Sequence, residues 1–295
     1  MVGVYAVGYA AGEGATGIAI DPSGNIWVTN YIGKTVTELS PSGNTLGIYS
    51  TNTTYSYPLW GNANPLGIAI DPSGNVWVVN TNNVGSSNLV TKLSPSGAAI
   101  NYYLSGPVGG AIAIDPSGNI WVTGGCGGSP ALGYSCVTKL SPSGSIGGSY
   151  TAGWEPDAIA IDPSGNIWTP SPSSGGPVTE ISSSGKTIGS YNTYGGWPDA
   201  IAIDSSGNVW IANTNYNSVS GTYGAGTVVK LSPSGSELAL CNVGSRPSGI
   251  AIDPQGNVWV ANGYDLSVTE LSPSCSTLGT YRISSGAYAI AIGTR

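Results

Sequence analysis

The amino-acid sequence predicts an all-β protein, a β-propeller of six complete four-stranded blades. The motif "AIAIDPSGNIWVTG" at 111–124 recurs six times along the 295 residues, and successive copies stand 42 to 50 residues apart. That period is typical of propeller blades. The first copy contains four short alternating apolar runs, at 17–20, 25–30, 35–40 and 45–50. Such runs, punctuated by Gly, Pro and Ser, indicate strands, and the absence of a polar linker favours a single domain over 1–295.

Each copy contains an aspartate that begins a tight turn after the first strand. "DPSG" offers a carboxylate that can accept from nearby backbone N–H groups, a proline with its φ preset and a closing glycine, as type I turns prefer. A second turn, "SPSG", joins the third strand to the fourth. A calcium site is the less favoured interpretation, because calcium takes about six to eight oxygen ligands and each loop supplies one carboxylate. The turn aspartates are Asp21, Asp71, Asp115, Asp162, Asp204 and Asp253.

A tryptophan follows each turn aspartate by six residues, in the second strand. Aromatic residues at strand period are usually core, so we expect these side chains to pack between blades. They are Trp27, Trp77, Trp121, Trp168, Trp210 and Trp259. The third strand has Glu or Lys at one position, and the free change of sign favours a solvated strand face. These residues are Glu38, Lys92, Lys139, Glu180, Lys230 and Glu270.

The two ends of the chain predict a small seventh blade or a pair of closing strands. Residues 287–293 repeat the first-strand pattern, and residues 2–9 resemble a fourth strand. Pairing of these runs would close the ring and remove exposed strand edges. The alternative is that each terminal strand pairs with a neighbouring molecule, giving a homo-oligomer or fibre by strand addition.

The order of strands places both kinds of tight turn on one face and the long, variable connections on the other. Loops on a rigid scaffold commonly carry binding residues, so the candidate site is on that loop face. The ligand-binding candidates are Trp60, Trp154, Asp157, Tyr194, Trp197 and Asp199.

Two of these candidates are carboxylates at the mouth of the central channel. Asp157 and Asp199 each stand five residues before a turn aspartate, in adjacent copies. The other copies have Thr, Leu, Gly, Ser or Tyr at this position, so a carboxylate is not a requirement of the repeat. The pair could hold a divalent metal ion or orient a sugar between Trp154 and Trp197. The alternative is that each aspartate caps its own loop.

The four cysteines give one expected disulfide. Cys126 and Cys136 bracket one loop and occupy facing hairpin positions, at a separation that a disulfide can bridge. Such a bond would indicate an oxidising compartment. Cys241 ends a fourth strand and Cys275 replaces a turn glycine, so we expect them near opposite faces, about 17–20 Å apart and unpaired with each other. The alternative for all four is a small apolar filler.

The frame "GIAIDPSGNIWVTN…VTELSPSG" resembles the NHL-type repeat and the related propellers of the streptogramin lyase family, over nearly the whole chain. The resemblance implies a β-propeller and is compatible with an enzyme or a binding module. The lyases are expected to use a histidine base with a magnesium ion. This chain contains no histidine, so the residue that would transfer the proton has no counterpart here.

Composition narrows the function classes. The net charge is −7, which disfavours nucleic acid, and no apolar stretch approaches the ~20 residues that span a bilayer. Low charge with abundant Ser, Thr, Asn and Tyr favours an extracellular or cell-surface scaffold that binds protein or glycan. We therefore predict no enzyme and no cofactor, with a divalent cation as the one candidate. The alternative is a metal-dependent lyase or lactonase-like hydrolase at the channel mouth.

Overall fold

The computed structural model describes residues 2–8, 14–51, 63–82, 88–106, 109–124, 136–173, 175–193, 196–217, 220–284 and 286–294. Within these ranges the chain is all β without helix, and six four-stranded antiparallel sheets form the blades of a propeller. The predicted fold class is confirmed. Across the same ranges, no helix has the length and apolar character needed to cross a bilayer.

The first three blades each run from an inner first strand to an outer fourth strand. Blade one contains β2 (Ala15–Ile20), β3 (Ile26–Asn30), β4 (Thr35–Leu39) and β5 (Thr45–Ser50). Blade two contains β6 (Ala63–Ile70), β7 (Val76–Asn82), β8 (Asn88–Leu93) and β9 (Ala99–Gly106). Blade three contains β10 (Ile112–Ile114), β11 (Ile120–Gly124), β12 (Cys136–Leu140) and β13 (Ile146–Thr151).

The last three blades follow the same order, with an added hairpin in blade five. Blade four contains β14 (Ala160–Ile161), β15 (Ile167–Pro170), β16 (Pro177–Ile181) and β17 (Thr187–Asn192). Blade five contains β18 (Trp197–Ile203), β19 (Val209–Thr214), β22 (Ala225–Leu231) and β23 (Glu237–Ser245), with the hairpin β20 (Tyr216–Asn217) and β21 (Thr222–Tyr223) between its second and third strands. Blade six contains β24 (Pro247–Ile252), β25 (Val258–Asn262), β26 (Ser267–Leu271) and β27 (Thr277–Arg282).

The two ends of the chain pair with each other. Strand β1 (Val2–Gly8) lies antiparallel to β28 (Ala287–Thr294), with Val4 opposite Ile292. Strand β28 also packs beside the inner strands of blades six and one. The termini therefore form the predicted small seventh unit, which closes the ring within one chain.

Both kinds of tight turn lie on one face, because they contact each other within each blade. A Cβ added at Gly74, in the first turn of blade two, would lie 3.2 Å from Pro95 of the second turn. The equivalent turns of blade three meet in the same way, through Gly118 and Pro142. The longer connections consequently share the opposite face, as the strand order predicts.

The turn aspartate of each blade also fixes the buried tryptophan. In blade three, Asp115 Oδ1 accepts hydrogen bonds from the backbone N–H groups of Ser117 and Asn119, at 2.9 and 2.8 Å. Its Oδ2 accepts from the Trp121 indole at 3.0 Å. Trp121 is fully buried and packs against blade four, through Ile167. The predicted turn role is confirmed, and so is the core role for every repeat tryptophan except the half-buried Trp259. One carboxylate connects the two roles.

Removing this carboxylate should destabilise the blade. We expect Asp115→Ala to lower the free energy of unfolding by about 3 kcal/mol, because buried donors lose their acceptor. Asp115→Asn should lose less, since its amide oxygen can still accept from the turn. Urea denaturation measures the difference, with Glu237→Ala on an exposed outer strand as the control.

The pH dependence of stability gives a second signature of the same carboxylate. Burial alone would raise the pKa of Asp115, but hydrogen bonds from Trp121 and Asn119 outweigh it and lower the pKa. The stabilisation is therefore present above the unfolded-state pKa of about 3.9 and is lost as pH falls through the lower folded-state value. Equal pH profiles for wild type and Asp115→Ala would contradict this role.

The prediction of a solvated face on the third strand is wrong for two of its glutamates. Glu38 and Glu180 are only 6% and 4% exposed. Glu38 accepts hydrogen bonds from Asn25 Nδ2 at 3.0 Å and from the Tyr49 hydroxyl at 2.8 Å. The lysines use different partners: Lys139 Nζ lies 4.9 Å from the Trp121 ring centroid and donates to the Ser183 carbonyl of the next blade at 2.8 Å. The side chain at this position can be negative or positive because the surrounding residues offer hydrogen-bond donors to the glutamates and acceptors to the lysines.

The expectation that Cys241 and Cys275 do not pair is also wrong. They form a disulfide with a Cα–Cα distance of 5.5 Å, which is usual for such a bond. Cys241, in the fourth strand of blade five, lies opposite Val228 of the third strand, just as Tyr191 lies opposite Val178 in blade four. The equivalent tyrosines each cover the turn glycine of the next blade: Tyr49 covers Gly97, Tyr103 covers Gly144, Tyr150 covers Gly185 and Tyr191 covers Gly235. In blade six that glycine is replaced by Cys275, so the disulfide takes the place of a tyrosine–glycine contact.

We expect the double variant Cys241→Ser with Cys275→Ser to have a free energy of unfolding about 3 kcal/mol lower than the wild type. The reason is that the bond joins two residues 34 positions apart in the sequence. Cys241→Tyr with Cys275→Gly should be more stable than the serine pair. It restores the contact of the other blades, and glycine suits the φ of 73° at position 275. Equal stability of the two double variants, measured by thermal unfolding, would show that the tyrosine–glycine contact adds nothing.

Candidate functional site

The candidate site is the mouth of the central channel on the loop face. A cavity of about 280 Å³ lies there, between the inner strands. One residue of equivalent position, in or just before each inner strand, lines it, namely Thr16, Leu66, Gly110, Asp157, Asp199, Ser248 and Tyr288. The structure therefore places Asp157 and Asp199 side by side at the mouth, where the repeat predicts them. Their roles as ligand or metal residues stay predictions.

The loop before Asp157 has a constrained backbone. Gly153 has a φ of 85° and Glu155 a φ of 43°, and the left-handed region is unfavourable for a glutamate. The Trp154 backbone N–H donates to Ser171 Oγ at 3.1 Å, which fixes the loop to blade four. This conformation brings a second carboxylate, Glu155, close to Asp157. The two residues also line an adjoining cavity of about 340 Å³.

The carboxyl group of Asp157 is harder to ionise than an ordinary aspartate. Surrounding protein atoms, then the negative charges of Glu155 and Asp199, raise its pKa to about 6. Its side chain still reaches channel water, so the effect on stability is smaller than for a sealed site. Desolvation also raises the pKa of Asp199, against the opposing influence of the Thr214 hydroxyl and Arg246. Negative charge is therefore concentrated on the Asp157 side of the mouth.

Arg246 lies on the other side of the mouth, next to Asp199. Its guanidinium carbon is 5.2 Å from the Tyr223 ring centroid and 5.3 Å from that of Tyr288. Its φ is 53°, and its carbonyl accepts from the Gly263 N–H at 2.9 Å. The two tyrosines hold the cation by cation–π attraction, so Arg246 is a fixed charge beside the channel.

A tyrosine patch, formed by Tyr216, Tyr223 and Tyr264, extends outward from Arg246. The ring centroids of Tyr216 and Tyr223 are 5.0 Å apart, and those of Tyr223 and Tyr264 are 5.6 Å apart. Tyr264 is 62% exposed. The patch joins the added hairpin of blade five to a loop of blade six and presents its rings to solvent.

Of the remaining residues predicted from the sequence, some are exposed on the loop face and others lie outside the described part of the chain. Trp154 is 60% exposed and Trp197 is 38% exposed, so both indoles are available on the loop face. Trp60 and Tyr194 lie outside the described residues. Cys126 does too; its predicted partner Cys136 is disulfide-bonded, and the Cys126–Cys136 pairing itself stays a prediction. In the described part of the chain, no three or more Asp, Glu, Cys or His side chains are placed to hold a metal ion.

Sequence reasoning missed Arg246 and Tyr264 as members of this site. Arg246 lies in a connection between blades, and Tyr264 lies in a connection of blade six whose equivalent position in blade one is Ile32. One signal was available: Arg246 is one of three arginines in the chain, and it directly precedes the first strand of a blade. A rare cation so close to the predicted channel mouth indicates that Arg246 belongs to the candidate site.

The ring of blades with its irregular loop face defines a β-propeller with a channel-mouth site. Among solved structures, the chain is similar to a streptogramin B lyase, with a TM-score of 0.71 and 18% identity over 96% of this chain and 88% of that one. It is similar to virginiamycin B lyase from Staphylococcus aureus, with a TM-score of 0.71 and 17% identity over 96% of this chain and 89% of that one. It is also similar to a functionally unknown protein from Desulfotomaculum acetoxidans. The TM-score is 0.69 and the identity is 14%, over 97% of this chain and 90% of that one.

These likenesses show the fold, and they confirm the predicted resemblance to streptogramin lyase propellers at that level. No family model matches the sequence, and no curated protein matches it either.

Replacing Asp157 with asparagine should stabilise the protein at neutral pH. The folded-state pKa of about 6 exceeds the unfolded value of about 3.9, so ionised Asp157 opposes folding above pH 6. We expect Asp157→Asn to raise the free energy of unfolding at pH 7 by about 1 kcal/mol, discounted for solvent screening. The gain should shrink as pH falls from 6 towards 4. Thermal unfolding across this range measures it, with Glu237→Gln as a control for net charge; a gain independent of pH would contradict the assignment.

Proposed function

We propose that this protein is an extracellular or cell-surface binding propeller whose loop face engages a protein partner. The observation that carries the proposal is the tyrosine patch beside Arg246. Tyrosine, tryptophan and arginine are the residues that most often dominate protein interfaces. Here three tyrosines, a fixed arginine and two exposed indoles share one face. A glycan, which could also stack on these rings, is the second candidate ligand.

An extracellular location is supported by the Cys241–Cys275 bond. Disulfides persist in oxidising environments and are rare in the cytosol. The low content of charged residues, 8%, argues against a partner that is recognised mainly through charge. Nucleic acid remains an unfavourable partner for a chain of net charge −7.

The competing function is a metal-dependent lyase or hydrolase at the channel mouth. It is favoured by Asp157 and Asp199 and by the fold shared with lyases. One of the similar structures is a virginiamycin B lyase with quinupristin, made catalytically inactive by replacing a histidine with alanine. This chain has no histidine at all, so a different proton-transfer group would be needed. We favour binding for that reason.

Self-assembly through the terminal strands is compatible with this proposal only if a terminal strand is exchanged between molecules. Strands β1 and β28 pair within one chain, so a homo-oligomer or fibre built on them would have to exchange β1 between molecules. Such exchange is a known route to assembly. Molecular mass in solution, compared with that of a variant lacking residues 2–8, would detect it.

Selection of a phage-displayed random peptide library on the wild-type protein tests the binding role. We expect selected peptides to bind Tyr264→Ala at least about tenfold more weakly, because hot-spot tyrosines carry a large share of interface energy. Leu278→Ala, an exposed side chain on an outer strand, is the control and should bind as the wild type does.

Two outcomes would overturn the proposal. Peptides that bind wild type and Tyr264→Ala equally would remove the patch from the interface. Tyr264-dependent binding on a glycan microarray, without peptide binding, would assign the patch to carbohydrate instead.

A further inference from the structure

The seventh unit of the ring contains the first two strands of a blade. Ala291 of β28 pairs with Tyr5 of β1. In blade one, Ala19 of the first strand pairs with Trp27 of the second strand in the same way. Strand β28 therefore stands in the first-strand position and β1 in the second. Among the described residues, no strand pairs with the other edge of β1, so two strand positions are open between blades six and one. We call this region the seventh-blade gap.

The blade-six wall of the gap is incompletely covered. At the five junctions from blade one to blade six, each repeat tryptophan packs in a cluster with an apolar residue that ends the third strand of the next blade. Those tryptophans and their partners are fully buried. Trp259 of blade six instead packs with a cluster that includes Ala287 and Ile290 of β28, and it stays half-buried. The five partners are Leu93, Leu140, Ile181, Leu231 and Leu271.

Three further residues beside the gap are less covered than their equivalents. Tyr281 of blade six is 48% exposed, whereas Tyr49, at the equivalent position of blade one, is half-buried over a turn glycine of the next blade. Gly43, the turn glycine of blade one, has no atom within 4 Å of the position of an added Cβ. Leu39, which ends the third strand of blade one, is half-buried. Both walls of the gap therefore lack the contacts that a complete seventh blade would make.

The intact junctions show what fits the gap. There the position is filled by a β-hairpin, made of the third strand, the second tight turn and the fourth strand of a blade. An apolar residue of the hairpin covers the tryptophan of the preceding blade. Its turn glycine lies under the tyrosine of the preceding blade, and its own tyrosine covers the turn glycine of the following blade. The gap presents the three matching surfaces, Trp259, Tyr281 and Gly43. The open edge of β1 adds backbone N–H and C=O groups for strand pairing.

A folded second copy of the chain does not fit the gap. Neighbouring strands of a sheet lie about 4.8 Å apart, so the edge of β1 is recessed by about 10 Å behind the outer strands of blades six and one. The outer strands of two rings would meet before their β1 edges did. A slender segment can enter, because a hairpin adds the two missing strands without displacing either neighbouring blade.

We propose that the seventh-blade gap is a docking site for a β-hairpin of a second protein, which completes the blade by strand addition to β1. The hairpin has the pattern of the third and fourth strands of this chain. In blade four that pattern is the apolar Ile181, the turn glycine Gly185 and the tyrosine Tyr191. The interface uses none of the residues of the tyrosine patch and does not depend on the proposed function.

A hairpin peptide with the sequence of residues 177–192, taken from blade four, is the probe. Pro177 and Asn192 face each other in the sheet, so a cysteine added at each end, oxidised to a disulfide, keeps the hairpin closed and lowers the entropy cost of binding. Fluorescence polarisation of the labelled peptide should show saturable binding. Hydrogen exchange should slow at least about tenfold at those β1 amides that point away from β28, because strand pairing protects them.

Two peptide variants test the side-chain contacts of the hairpin. Ile181→Asp in the peptide places a charge against Trp259, and Tyr191→Ala removes the ring that would cover Gly43. Each should weaken binding to the protein at least about tenfold, because both residues fill a pocket at the centre of the interface.

Tyr281→Ala in the protein tests the blade-six wall. The exposed side chain can be removed without opening the core, and peptide binding should weaken at least about tenfold. Tyr281→Phe, which keeps the ring, should bind as the wild type does. Leu278→Ala is the matched control, because it lies three positions away on the same strand, and its side chain therefore points to the opposite face.

Several results would overturn the inference. They are the absence of saturable binding by the closed peptide, equal binding by wild type and Tyr281→Ala, and binding that leaves hydrogen exchange in β1 unchanged. Dimers of the protein in analytical ultracentrifugation that Tyr281→Ala abolishes would assign the gap to a second copy of the chain instead.

Discussion

The fold depends on one repeated interaction, the hydrogen bond from the second-strand indole to a turn carboxylate. In all six blades the tryptophan Nε1 donates to the turn aspartate, at 3.0 or 3.1 Å. The other carboxylate oxygen accepts from the turn backbone. One side chain thus shapes the turn, satisfies the polar atom of a large core residue and sets where that residue lies. Because the tryptophan packs against the next blade, each turn also determines the spacing between blades. The channel and its mouth follow from that spacing.

The sequence predicted those features that repeat within a blade. Turns, strands and the core position of the tryptophans follow from short patterns, and Asp157 and Asp199 stand out because they depart from a repeated position. Contacts between blades were harder to predict, since they join residues roughly one repeat apart. The tyrosine that covers a glycine in the next blade is such a contact, and the pairing of Cys241 with Cys275 follows only once that contact is known. Comparison of the repeat copies shows that Cys241 stands at the tyrosine position and Cys275 at the turn-glycine position.

The loop face was only partly predictable for a different reason. Its exposed indoles follow from their place outside the repeat, whereas Arg246 and Tyr264 are connected through Tyr223, which lies in the added hairpin of blade five. Arg246 has a left-handed backbone conformation, which no local pattern of residues indicates here. The same is true of Glu155. Both residues lie in connections between blades, and the residues of each connection alone do not predict these conformations.

These two strained, charged residues also explain why the loop face differs from the turn face. On the turn face, polar groups largely satisfy one another: aspartates bond to their own turns, and lysines reach the carbonyls of the next blade. At the channel mouth the chain instead holds Glu155 and Arg246 in unfavourable conformations and keeps two carboxylates adjacent. A rigid ring can tolerate this, because the blades are stabilised elsewhere by buried tryptophans and a disulfide. Unfavourable conformations of this kind cluster at functional sites in proteins, and Glu155 and Arg246 lie in the connections that lead into blades four and six.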